Sequence, residues 1–554
     1  MNSLHLLGRV NLSVKSLFFV IAATMGLAAL SVHGQSQESA ERGKQLYIKN
    51  CFICHQLDGR GVVGTFPPLA KSDFLLADKD RSIRILCEGL TGEISVNGKK
   101  YAGAMPPVAL DDAGVADLLT YVRGAWGNTG EPISSDEVKS VRSKTRYPTF
   151  EALQAASVYP PLPSPPDGFT LREVVRTPTH CVRMASDGKG DIIYLLCENG
   201  DVWRLQPSSG YLKQILWAER YLDHKAGDVG GPIFVLGLAL DDQKRLYIAS
   251  NQPNHAERPI QNRVTIYRTQ PATQGDPADP KPWFEVSYPG NTAYVHGMEN
   301  IAFGPDGFLY AGNGARTDAN QAGGDVNVFQ GGEVALTSSI WRLDPHSEKP
   351  EIENIAHGIR NAYGFCWNDK GEMIATENGP DADAPEELNL IEKGKHYGFP
   401  YQFSNWTNKA YAHSPDAPAG LEFTLPIANM GPDGGYDGKP IYTFDPHSCP
   451  GGIVFLNDDF PPDYRGTFLL TRFGNFIRTP KDNVGFDLLQ ARLKKNSQGL
   501  YEAQIKTVLK PLGRPIDVHL SGKGKIYIAE YSRGTNNASS YGPSGRILEL
   551  AVKH

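Results

Sequence analysis

Residues Cys51-Phe52-Ile53-Cys54-His55 place two thiols three positions apart, with an imidazole beside the second. That spacing lets both sulfurs form thioethers to the vinyl groups of a haem while His55 ligates the iron. One helical turn aligns the sulfurs along a single porphyrin edge. The second axial ligand should be a soft donor from a downstream loop, and Met105 in YAGAMPP meets that need because prolines stiffen a loop without a helix. A thioether ligand raises the reduction potential, which suits an electron acceptor. A zinc site or a redox dithiol would use the same cysteines. Neither accounts for the adjacent histidine, the Met-Pro-Pro loop and an export signal together.

The elements that must hold these ligands are readable on either side. ESAERGKQLYIKN runs into the motif, and DDAGVADLLTYVRGAWG from residue 111 repeats its apolar positions at helical spacing. Residues 35–128 therefore read as a small all-α domain, and 38–128 closely resemble the class I cytochrome c domains with one covalent haem c.

The whole chain is 554 residues, too long for one ordinary core. Its hydrophobic content of 40%, charged content of 21% and net charge of -6 describe a globular protein with no basic excess for nucleic acid. The 58 Gly and 40 Pro, with 10% aromatics, favour short strands joined by turns. At the N-terminus, Arg9 and Lys15 precede SLFFVIAATMGLAALSV and a small-residue exit at Val32-His33-Gly34, the layout of a secretory signal over residues 1–34. The alternative is an uncleaved anchor, the one route to membrane attachment. Either way the expected location is periplasmic or secreted, where disulfides are permitted. Residues 129–166 are polar and run into YPPLPSPPDG, a Pro-rich linker that is extended and semi-rigid.

Residues 167–554 hide a repeat. Six segments share an apolar run, an Asp/Gly turn and a second apolar run: MASDGKGDIIYLL from 184, LALDDQKRLYIAS from 238, IAFGPDGFLYAGN from 301, FCWNDKGEMIATE from 365, IVFLNDDFPPDYRGTFLLT from 453 and VHLSGKGKIYIAE from 518. Each is a hairpin, and the spacing leaves room for four strands and a variable loop, the unit of a β-propeller blade. Six hairpins predict six blades. The closing GRILELAVK is expected to complete the blade that holds the first hairpin. Cys181 and Cys197 flank that hairpin and either form a cross-strand disulfide or stay as buried thiols.

A propeller leaves function to its loops. Here they read HGMENIAFGPDGFLY from 296, HGIRNAYGF from 357, ENGPDADAPEELNLIEKGKHYGFP from 377, SCPGGIVF from 448, YRGTFLLTRFGNFIR from 464 and GRPIDV from 513. Their order and spacing resemble the pyrroloquinoline quinone (PQQ)-dependent sugar dehydrogenases, the glucose, aldose and sorbosone dehydrogenase family. The resemblance implies that His296 is the general base, taking the hydroxyl proton as hydride passes to the quinone. It implies that Arg360 and Asn361 lie over the quinone edge, although the family's Pro and Gln are here Ala362 and Tyr363. Gly379 and Pro380 would give backbone carbonyls to a calcium ion that polarises the quinone. Arg514, and Arg472 or Arg478, would answer the carboxylates of PQQ. Asp381, Asp383, Glu386 and Glu387 are expected to be a solvated loop rather than ligands.

Two departures bear on substrate. The family's glucose dehydrogenases have an Asp before the catalytic His, where this chain has Val295, and a Gln-bearing G-G-L-L-G loop, where it has GGPIFVLG from 230. The expectation is therefore an aldose or related sugar, but not glucose itself. Its anomeric hydroxyl would be oxidised to a lactone or acid, with electrons passing to the chain's own haem and then to an external acceptor, such as a soluble cytochrome or a terminal oxidase. Two other classes compete. A six-bladed lactonase would hold calcium with side-chain carboxylates at blade starts. A non-enzymatic propeller that binds glycan or a partner and uses the haem as a sensor would take up no PQQ.

Overall fold

The computed structural model describes residues 37–48, 50–61, 66–105, 108, 110–143, 161–189, 191–222, 234–254, 257, 259–272, 275–290, 296–319, 332–380, 382, 384–404, 409, 411, 414–431, 443–474, 484–532 and 544–553. The segment expected as a signal lies outside them. The chain divides into two compact units, Met1–Tyr147 and Pro148–His554.

The first unit is helical: residues 37–48, Phe52–His55, Asp73–Ala77, Lys79–Glu88, Asp112–Gly124 and Ser135–Arg142. The four starts at Asp73, Lys79, Asp112 and Ser135 follow Ser72, Asp78, Asp111 and Ser134, whose side chains accept from otherwise orphaned N–H groups. The first helix crosses Asp112–Gly124 so closely that a Cβ at Gly43 would lie 1.9 Å from the Asp117 carbonyl oxygen. Tyr47, Ile83, Val115, Leu118 and Val138 share the core beneath. Two features differ from the sequence reading. Ser135–Arg142, counted there with the linker, is a helix with a complete capping box, and Val138 and Val141 are buried in this core. A hairpin, Leu90–Val96 and Lys99–Met105, turns at Asn97-Gly98, both at positive φ, so Met105 ends a strand opposite Leu90 instead of hanging from a proline-held loop. Pro106 and Pro107 lie outside the described residues.

The second unit is a six-bladed β-propeller. Among the described residues it carries six antiparallel sheets, two of them extended by a short parallel strand. The innermost strands, from blade 1 to blade 6, are Cys181–Ala185, Phe234–Leu240, Met298–Phe303, Gly364–Trp367, Pro450–Phe455 and Pro515–Leu520. Each packs against the next, and the sixth against the first, which closes the ring. The closing strand corrects the expectation. Arg546–Val552 belongs with the sixth hairpin, pairing with Lys525–Glu530 on one side and with Phe169–Arg176, the unit's first strand, on the other. The ends of the unit thus complete blade 6, while the first hairpin sits in a blade of consecutive strands.

Crowding around the channel explains particular glycines. A Cβ at Gly364 would lie 2.3 Å from the Gly451 carbonyl oxygen, and one at Gly452 would lie 2.3 Å from Asp517 Oδ1. Arg183 of blade 1 fills the remaining space. It donates to the carbonyls of Leu236, Glu299 and Tyr363 at 3.3, 3.0 and 3.0 Å and pairs with Asp517 at 3.4 Å, touching four other blades with one side chain. Burial pushes the Asp517 carboxyl up, and the guanidinium opposes the shift.

Strand direction decides where the loops emerge. Met298 faces Asn313, Gly364 faces Thr376, Pro450 faces Arg472 and Pro515 faces Glu530 across their hairpins. Inner strands therefore begin at the rim where second strands end, and the candidate loops share that rim. Cys181 and Cys197 face each other in the same way in blade 1. Both are buried free thiols.

Candidate functional site: a propeller rim and a haem-type motif

In the first unit, Cys51 caps the one-turn helix Phe52–His55, which presents Cys54 and His55. His55 Nδ1 lies 2.9 Å from the Pro67 carbonyl, which fixes the ring and turns Nε2 away from the backbone. Burial holds the imidazole neutral by lowering its pKa, as an iron ligand requires. Met105 is half-buried and packs on the same core as Cys51. Gln56, the next residue, buries both side-chain polar atoms without a hydrogen-bond partner among the described residues. The donor set fits a covalent haem.

On the propeller rim, three positions expected from sequence come together. His296 precedes the inner strand of blade 3, and its backbone N–H donates to the Ala315 carbonyl at 3.0 Å. Its Nδ1 is 2.9 Å from Glu299 Oε1 and 3.1 Å from Asn361 Nδ2. Arg360, beside Asn361, is buried. It makes a 2.6 Å ion pair with Asp318, donates to the Asn378 carbonyl, and its backbone N–H donates to Glu377 at 2.6 Å. Tyr411 donates to the other oxygen of Asp318 at 2.6 Å. The Arg360 charge is thus met by a carboxylate from the Ala315–Ala319 turn.

The same turn carries Arg316. It is fully buried, and among the described residues none of its guanidinium nitrogens has a hydrogen-bond partner. Burial lowers its pKa, with Glu333 opposing. The Glu333 carboxylate accepts from the backbone N–H groups of Arg316 and Thr317 and from the hydroxyls of Thr317, Thr337 and Ser338. Those five donors pin the turn, and among the described residues none of the carboxylate's hydrogen bonds goes to the guanidinium.

The other expected cations differ in state. Arg472 forks onto Asp487 at 2.9 and 2.7 Å, both fully enclosed, so its charge is met within blade 5. Arg478 lies outside the described residues. Arg514 is sandwiched between the rings of Phe473 and Phe486, 5.0 Å from each centroid, and donates to the Gly474 carbonyl at 3.1 Å. Gly379 and Pro380 follow the second strand of blade 4, and the turn is fixed by the Gly379 N–H donating to Glu386 at 2.6 Å.

The solvated acidic loop is corrected in part. Glu386 and Glu387 are buried in strand Glu386–Ile391. Glu387 faces Glu377 across the sheet, and both accept from Asn389 Nδ2. Burial and then Glu387 push Glu377 well above the carboxylate range, and burial raises Glu387 as well. Asp381, Asp383, Val295 and 230–233 of the GGPIFVLG stretch lie outside the described residues. Among those described, no cluster of three acidic, His or Cys side chains could hold a metal ion. Sequence reasoning missed Glu299, Asp318, Glu333 and Arg316. For Arg316 and Asp318 the available signal was the polar run GNGARTD at the end of the third hairpin; Glu299 and Glu333 carried none.

The chain thus carries a six-bladed propeller, whose rim joins an imidazole to a carboxylate, together with a small helical unit that presents a haem-type donor set. The chain belongs to the glucose / sorbosone dehydrogenase family, whose profile matches residues 235–533, and its first unit matches the cytochrome c family over residues 40–126. Cytochrome c-552 of Thermus thermophilus is 36% identical over 132 residues, 22% of this chain and 88% of that protein. Quinoprotein glucose dehydrogenase B of Acinetobacter calcoaceticus is 22% identical over 237 residues, 39% of this chain and 49% of that one. The PQQ-bound aldose sugar dehydrogenase of Streptomyces coelicolor superposes with a TM-score of 0.47 at 20% identity, covering 70% of this chain and all of that one.

Proposed function

We propose that the protein is a periplasmic, cytochrome-linked quinoprotein that oxidises the anomeric hydroxyl of an aldose or related sugar to a lactone or acid. The observation that carries this reading is the contact of His296 with Glu299 and Asn361 on a rim shared with Arg360, because it offers an oriented base beside cationic groups. Bound PQQ would supply a two-electron acceptor for hydride. Arg360, Asn361 and Arg514, with Arg472 or Arg478, would hold it, although Arg360 and Arg472 already face Asp318 and Asp487. The Gly379 and Pro380 carbonyls would hold calcium, and Glu386 fixes their turn. His296 would take the hydroxyl proton on Nε2, while Asn361 and Glu299 keep the ring from rotating. The haem held by Cys51, Cys54, His55 and Met105 would pass electrons singly to an external acceptor.

The test is to add PQQ and calcium to the purified chain and then a sugar panel, following an artificial dye that bypasses the haem. Dye reduction that depends on both PQQ and sugar supports the reading. Lactone hydrolysis without PQQ would favour the lactonase class, and inertness toward PQQ would favour the binding propeller.

A further inference from the structure

We infer that Glu299 is the positioning residue of His296, holding the imidazole with its proton on Nδ1 so that Nε2 presents a lone pair to the substrate hydroxyl. The inference rests on the reading of His296 as base. Glu299 sits in the inner strand of blade 3, three residues after His296, and is buried. Its carbonyl accepts from Arg183 at 3.0 Å, which anchors the strand to the channel. Its Oε1 is 2.9 Å from Nδ1, and its Oε2 has no hydrogen-bond partner among the described residues, so the carboxylate is committed to the imidazole.

A second neighbour competes for the same nitrogen. Asn361 Nδ2 lies 3.1 Å from Nδ1, yet one nitrogen cannot donate to a carboxylate and accept from an amide at once. A hydrogen bond to an ionised acceptor is roughly twice as strong as a neutral one, so Glu299 sets the tautomer. Asn361 Oδ1 is buried and has no partner among the described residues. Turning the amide over brings this oxygen to Nδ1, and the conflict disappears. Nδ1–H then donates to two acceptors, and Nε2 carries the lone pair. The other charges packed around the pair are Arg183, matched by Asp517, and Arg360, matched by Asp318. As the sugar O–H breaks, Nε2–H forms and the imidazolium faces an ionised Glu299. The electron pair of the breaking C–H bond leaves as hydride to the two-electron acceptor of the proposed function.

The test uses the full chain loaded with PQQ and calcium, and three variants. Glu299→Gln is expected to lower kcat at least about a hundredfold with KM changed by less than about threefold, as for other carboxylates that hold a catalytic histidine. Glu299→Asp should recover part of the loss. Side-chain nitrogen spectra of the protein with reduced, diamagnetic haem should show His296 protonated at Nδ1 in the parent and redistributed to Nε2 in Glu299→Gln. The parent spectrum decides even where a variant fails to fold: a proton on Nε2 overturns the inference. An unchanged kcat in Glu299→Gln, or a change in KM alone, also overturns it. His296→Gln separates the two readings. If it turns over normally, the base assignment falls and Glu299 with it. If it is inactive while Glu299→Gln is not impaired, the base stands and the positioning role falls.

Discussion

Arg183 and Asp517 meet at 3.4 Å inside the propeller channel, joining blade 1 to blade 6, the blade that the unit's first and last strands complete at its outer edge. Both are buried, and the same guanidinium holds the carbonyls of Glu299 and Tyr363 beneath the rim. Stability and site geometry therefore share one side chain.

Removing one partner of that pair leaves a buried charge uncompensated. Arg183→Met should cost about 3–5 kcal/mol, and adding Asp517→Asn should restore much of it. Denaturant unfolding followed by tryptophan fluorescence reads the propeller, because six of the chain's seven Trp follow residue 147. A loss below about 1 kcal/mol in the single variant would contradict the bracing role.

Arg316 makes the opposite prediction. Its guanidinium is buried with no hydrogen-bond partner among the described residues, so Arg316→Met should leave stability unchanged or raise it by about 1–3 kcal/mol. A clear loss would mean that a bound anion or ordered water already compensates the charge.

Acid should weaken the propeller through two of its half-buried histidines. Burial pushes His519, which contacts Ser186 at 2.7 Å, down from 6.5 to about 4, and burial with His357 does the same to His396. The unfolded chain then binds these protons more tightly, so their contribution is lost as pH falls from about 6.5 and levels off below about 4. The raised carboxyls Glu377 and Glu387 act with the opposite sign, which makes the difference between variants the clean readout. His519→Asn should flatten the fall of the denaturant midpoint between pH 6.5 and 4. An unchanged slope would remove this assignment.

Met105 closes the strand Lys99–Met105 on the core that holds Cys51. Met105→His should keep the thioether-linked haem and lower its potential, since a second imidazole replaces the soft donor. His55→Ala should lose low-spin haem altogether. An unchanged potential in the first variant would exclude Met105 as ligand.

Much of this was legible in sequence because it rests on local rules. The Asp-Gly turns between apolar runs gave six blades, and C-x-x-C-H with helices on either side gave the first unit. What escaped was contact between residues far apart in the chain. Glu299 reads as a polar residue in an apolar strand until His296 folds over it. Arg472 reads as a candidate carboxylate binder until Asp487 appears opposite it in the hairpin. The placement of Arg546–Val552 depended on strand order, which hairpin spacing does not encode. Glu386 and Glu387 looked solvated because charge suggests exposure, and their burial is tolerated through N–H donors that include those of Gly379, Cys449, Asn389 and Ser404.

The central claim is that sugar electrons reach the haem within one polypeptide. The most direct measurement is anaerobic mixing of the PQQ- and calcium-loaded full chain with a sugar panel, with the haem absorption as the only signal and no added mediator. At least one aldose should reduce the haem at a rate independent of protein concentration, and His296→Ala should abolish that reduction. If no sugar reduces a haem that dithionite reduces fully, or if the rate scales with protein concentration, the account is contradicted.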